Sequence, residues 1–118
     1  MMRVLIVDDN EAMRRTIKTV IQELVDDIDE CSSGSAALKH YAMFKPDWVL
    51  MDIRMKDVDG LTATREIKRA FADACIVIVT SYDEPSLREE AADAGACAYV
   101  IKDSLRELVD LFGHDPPG

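Results

Sequence analysis

The chain has 118 residues, 48% of them hydrophobic, and its 23 Asp and Glu against 14 Lys and Arg leave a formal charge of −9. That length supports one domain, able to bury roughly two-thirds of its unfolded surface without a disulfide or metal staple, and that apolar share excludes intrinsic disorder. The acidic balance excludes nucleic acid as a direct partner, since phosphate contacts need excess Lys and Arg, and no run approaches the ~18 apolar residues of a membrane span.

The N-terminal MMRVLIVDDN reaches two Asp before a signal-peptide core could form, so a cytoplasmic protein is expected. Residues 4–7, Val-Leu-Ile-Val, read as a first strand. A helix follows, with Ala12, Met13, Thr16, Ile17, Val20, Ile21 and Leu24 on its apolar face and Arg14, Arg15, Lys18, Gln22 and Glu23 on the other. Asp27–Cys31 is polar enough to be an edge strand. A second helix runs from about Ser35 to Phe44 and stops before Lys45-Pro46, because the residue preceding Pro leaves the helical region.

Residues 48–51 form the next strand, and a helix after Gly60 places Leu61, Ile67 and Phe71 on one side. The run 75–79 is a strand. A helix then starts at Pro85, suited to a first turn, and ends near Ala94-Gly95, where Gly supplies a left-handed cap. Residues 99–101 are the last strand. Leu105, Leu108, Val109 and Phe112 mark a final helix, with Ser104 as its N-cap. Residues 113–118 read as a tail. Four of the strands are continuous apolar runs rich in β-branched residues, the pattern of strands buried on both faces of a parallel sheet. Five β-α repeats give such a sheet with helices on both sides.

The polar residues at the strand ends carry the chemistry. Asp8 and Asp9 follow the first strand, Asp52 the third, Thr80 and Ser81 the fourth, and Lys102 the fifth. Ligands of open α/β sheets bind at the carboxyl ends of the strands where strand order reverses. For the order 2-1-3-4-5 this crevice lies between the first and third strands, so Asp8, Asp9 and Asp52 should converge, with Thr80 and Lys102 on the flank. Two carboxylates ~5 Å apart repel by roughly 3 kcal/mol at an effective dielectric near 20. Three of them call for a cation, and hard oxygen ligands with room for water suit Mg²⁺. An Asp beside Mg²⁺ and Lys can attack phosphorus and form an aspartyl phosphate. Mg²⁺, Lys102 and the Thr80 hydroxyl would neutralise the transferring group.

Cys31, Cys75 and Cys97 have no metal-ligand spacing and read as reduced thiols. His40 reads as a helix-surface residue and His114 as a tail residue, neither catalytic.

VLIVDDN at 4–10, VLMDIRMKDVDGL at 49–61, VIVTSY at 77–82 and AYVIKD at 98–103 together resemble the response-regulator receiver domain of two-component signalling, over essentially the whole chain. The resemblance implies a flavodoxin-like (βα)5 doubly wound parallel sheet of order 2-1-3-4-5. It implies Asp52 as phosphoacceptor, Asp9 as direct Mg²⁺ ligand, Asp8 acting mainly through water, and the Arg54 backbone carbonyl as a further ligand. Lys102 would pair with the acceptor, Thr80 would bond the phosphoryl group, and Tyr99 would be the aromatic that moves inward on activation. Arg54 and Tyr82 would bear on dephosphorylation rate, with Ser81 beside them.

The implied donor is a sensor histidine kinase. The implied output surface is the fourth helix, fifth strand and fifth helix, read by a downstream protein or output domain, with phosphorylation-linked homodimers open. Two positions depart from the usual pattern. Lys56 stands where Pro is usual, which is expected to loosen the loop, and Asp103 follows the Lys, as in receivers that carry a helix-turn-helix output domain. No such output domain is expected within these 118 residues.

Three other functions compete. An aspartyl-phosphate-forming phosphatase would need a second acid two residues after the nucleophile, where Arg54 stands. A flavin or nucleotide module would need a Gly- or Ser/Thr-rich loop where Asp8 and Asp9 stand. A receiver-like interaction domain that is never phosphorylated would not need the full set of acids and Lys102.

Overall fold

Alternate residues of each apolar run serve two different cores, which is why the runs are continuous rather than striped. The computed structural model describes residues 1–113. Strands β1 (Arg3–Val7), β2 (Asp27–Cys31), β3 (Trp48–Met51), β4 (Ile76–Thr80) and β5 (Ala98–Ile101) form one parallel sheet in the order β2-β1-β3-β4-β5. Helices α1 (Glu11–Ile21), α2 (Ala37–Phe44), α3 (Gly60–Ala70), α4 (Pro85–Ala94) and α5 (Arg106–Phe112) cover its two faces. Leu5, Val7, Val49, Met51, Ile76 and Ile78 pack with Leu61 and Ile67 of α3 and Ala91 of α4. Their neighbours Val4, Ile6, Trp48, Leu50, Val77 and Val79 pack with Ile17 and Ile21 of α1 and Leu108 and Phe112 of α5. This is the doubly wound sheet expected above. No described helix is long and apolar enough to cross a membrane.

Local chemistry sets the helix ends nearest the strand tips. The Asn10 side chain accepts the Met13 N–H at 2.9 Å and caps α1, and Asp59 accepts the Thr62 N–H at 2.8 Å and caps α3. Pro85 opens α4, and Gly95 closes it at φ 106°. Gly60 is required by contact: a Cβ there would lie 1.8 Å from the Asp52 carbonyl oxygen. α3 therefore begins pressed against the end of β3.

Several expectations need correction. Ser104 is not a cap, because Lys102–Ser104 winds straight off β5 as a 3-10 turn and α5 is entered through Leu105, whose backbone is already helical. A capping side chain works from an extended residue. Val109 is 40% exposed, so only Leu105, Leu108 and Phe112 of that stripe face inward. α1 stops at Ile21, which leaves Leu24 outside it and 40% exposed. Ala12 and Thr16 face solvent, and Arg14, expected there, is half-buried. α2 starts at Ala37, two residues later than expected, and β4 at Ile76, since Cys75 precedes the ladder although buried. Residues 114–118, with His114, lie outside the described residues.

Candidate functional site

β1 and β3 are neighbours paired Val7 to Met51, so the residues that follow them come side by side. Asp8, Asp9 and Asp52 each present a carboxylate oxygen within 4.8 Å of the others. Asp8 is 1% exposed and Asp52 6%, whereas Asp9 is half-buried. Their backbones are fixed by the sheet: Asp8 N–H donates to the Cys31 carbonyl at 3.0 Å and Asp52 N–H to the Val7 carbonyl at 2.9 Å.

Lys102, delivered by the turn after β5, reaches across. Its Nζ lies 3.0 Å from Asp8 Oδ2 and 3.3 Å from Asp52 Oδ2. Asp52 Oδ1 accepts the Ile53 N–H at 2.9 Å, and Asp8 Oδ1 accepts the Asn10 N–H at 2.9 Å. Burial raises the Asp52 carboxyl to a pKa of about 6, reinforced by the charge of Asp8 and opposed by Lys102. One ammonium does not balance three carboxylates, two of them removed from water. The donor set consists of hard oxygens converging from two strand ends, and it fits a hard divalent cation.

Thr80 is fully buried at the end of β4, and its hydroxyl oxygen lies 3.4 Å from the Tyr82 N–H. Ser81 is exposed beside it. Tyr82 is 42% exposed and lies under the Arg54 guanidinium, 4.9 Å from ring centroid to Cζ. The Tyr99 hydroxyl donates to the Tyr82 carbonyl at 2.6 Å. Arg88 of α4 lies 4.6 Å over the Tyr99 ring and pairs with Asp83 at 2.9 Å. The strand-end acids and Lys102 thus meet directly, while Tyr99 reaches the loop after β4 through a main-chain carbonyl. His40 pairs with Asp29 at 2.8 Å on the β2 side, away from this cluster.

Lys56 lies exposed in the loop after β3. Its N–H donates to Asp9 Oδ2 at 3.1 Å, a bond proline cannot make. The next residue, Asp57, accepts the N–H groups of Gly34 and Ser35, each at 3.2 Å. Its pKa is held below the ordinary carboxylate range, first by the Ser35 hydroxyl and then by backbone N–H groups.

Arg14 was also missed. Its Nη1 donates to the Asp8 carbonyl at 2.7 Å, and its Nε pairs with Glu30 at 3.0 Å. Lys18 reaches the same Glu30 at 2.9 Å, and together they hold its carboxyl below the ordinary range, Lys18 more strongly. The available signal was spacing: Arg14 and Lys18 each follow a member of the Met13–Ile17–Ile21 stripe by one residue, so they border the sheet rather than face away.

The family model described as response regulator receiver domain matches residues 4–112. The chain is 39% identical over 100 residues to the chemotaxis protein CheY of Halobacterium salinarum, covering 85% of this chain and 83% of that one. It is 36% identical over 115 residues to the response regulator GacA of Pseudomonas viridiflava, covering 95% of this chain but 54% of that one. It therefore spans about half the length of some relatives and most of others. The solved structure of response regulator protein TrrA of Thermotoga maritima, in complex with Mg²⁺-BeF, superposes with a TM-score of 0.82 at 34% identity, covering 95% of this chain and 99% of that one. Sequence, fold and the converging strand-end acids agree, and the chain belongs to the response regulator receiver domain family of two-component systems, whose members act as signalling switches.

Proposed function

We propose that this domain is a phosphoacceptor switch that takes a phosphoryl group onto Asp52 from a sensor histidine kinase. The observation that carries the reading is the convergence of the Asp8, Asp9 and Asp52 carboxylates within 4.8 Å, with the Lys102 ammonium against two of them. An Asp52 carboxylate oxygen attacks phosphorus, the bond from phosphorus to the donor's imidazole nitrogen breaks, and the imidazole keeps the electron pair and takes up a proton. The product is an acyl phosphate.

Asp8, Asp9, Asp52 and the Arg54 main-chain carbonyl would hold Mg²⁺. When bound, the ion offsets the negative charge gathered on the carboxylates and on the incoming phosphoryl oxygens. Lys102 already faces Asp52 and supplies a fixed positive charge beside the transferring group. The Thr80 hydroxyl, buried at the end of the neighbouring strand, would donate to a phosphoryl oxygen after transfer. That new bond would draw in the loop that carries Tyr82, and with it the carbonyl that Tyr99 holds.

Those movements end on α4, β5 and α5, which we assign as the surface read by a downstream protein or output domain; homodimerisation through it is compatible. In this reading the Asp52→Asn change is the decisive one. The protein mixed with Mg²⁺ and acetyl phosphate is expected to gain the mass of one phosphoryl group, and Asp52→Asn to gain none. A wild-type protein that takes up no phosphoryl group from acetyl phosphate or any histidine kinase overturns the proposal.

A further inference from the structure

The loop after β3 is fastened to two other loops. Asp57 binds it to the loop after β2 through the Gly34 and Ser35 N–H groups. One residue earlier, the Lys56 main-chain N–H donates to Asp9 Oδ2 at 3.1 Å. Asp9 is the least buried of the three clustered acids, and its side chain belongs to the loop after β1, 47 residues away in sequence. Its Oδ2 is thus held from the acceptor loop, not from its own helix.

A carboxylate oxygen offers more than one lone pair, so an N–H can donate to it while it faces a cation. Outer groups that orient metal ligands in this way are worth roughly 10- to 100-fold in metal affinity. We infer that Lys56 is a positioning residue, whose main-chain N–H pre-orients Asp9 for a divalent cation while Asp57 keeps that N–H in place. The inference rests on the metal assignment proposed above. It concerns the peptide N–H and not the Lys56 ammonium, which is exposed.

The matched pair Lys56→Pro and Lys56→Ala separates the two, because both lose the ammonium and only Pro loses the N–H. Mg²⁺ titration of the unphosphorylated proteins, followed by NMR amide shifts at constant ionic strength, should give a dissociation constant about tenfold higher for Pro than for Ala. Equal constants, with binding weakened in Asp9→Ala, overturn the inference alone. Mg²⁺ binding that Asp9→Ala leaves unchanged overturns the metal assignment and the inference together. Should Lys56→Pro fail to fold, amide hydrogen exchange in metal-free protein decides. The Lys56 amide is expected to exchange at least about tenfold faster in Asp9→Ala than in wild type, and an unchanged rate overturns the inference.

Discussion

Asp52 ends an apolar strand, is 6% exposed and has another carboxylate beside it, so its ionised form is costly in the folded protein. With a folded pKa of about 6 against 3.8 when unfolded, the native state holds the extra proton between those values. Stability of the metal-free protein therefore falls as pH rises from about 4 through about 6, and the penalty is complete above that window. Asp52→Asn removes the charge without changing the shape. It is expected to stabilise the metal-free fold at pH 7 by up to about 3 kcal/mol, and to give no gain below about pH 4. Urea unfolding followed by circular dichroism at the two pH values checks this. The residue proposed to accept phosphate is thus one that folding alone would not select.

Among the elements, the loop after β4 is tied to the α4–β5 face. Thr80 ends the strand before it, Tyr82 lies within it, and the Tyr99 hydroxyl and Arg88 hold it from β5 and α4. Thr80→Ala is expected to accept a phosphoryl group at Asp52 yet leave the amide resonances of α4 and β5 near their unphosphorylated positions. Equal shifts in wild type and variant would show that the loop needs no hydroxyl. Most of these elements are legible in the sequence, because strand segments such as 4–7 and 76–79 are buried on both faces and must be apolar throughout. The acids and Lys102 are legible for the complementary reason, that polar groups directly ending such strands stand out. Contacts through the main chain are not. The Lys56 N–H and the Tyr82 carbonyl are common to nearly every residue type, so no side-chain pattern announces them. Arg14 escaped for another reason: helical periodicity sorts residues into two faces, and Arg14 stands on the border between them.

For the molecule as a whole, the charge of −9 divides into a general surface excess and a local one at the strand tips. The two respond differently to ions. Added monovalent salt screens the surface charges, whereas a divalent ion bound at the cluster stabilises the native state by mass action. At Mg²⁺ a hundred times its dissociation constant the expected gain is about 2.7 kcal/mol, a rise in Tm of roughly 10 °C for a domain of this size. The rise should exceed that given by NaCl at equal ionic strength, reverse with EDTA and shrink in Asp9→Ala. Differential scanning calorimetry measures all of these.

Trp48 and Asp52 bracket the same strand, with the indole 2% exposed and packed at 5.3 Å from the Phe112 ring. The chain has one Trp, so its intrinsic fluorescence comes from a single known place. At ~3.3 Å per residue that place is about 13 Å along the sheet from the acidic cluster. Its emission reports whether α5 is seated on the sheet. The protein carries its own optical gauge of folding, one that can be read while the cluster is titrated.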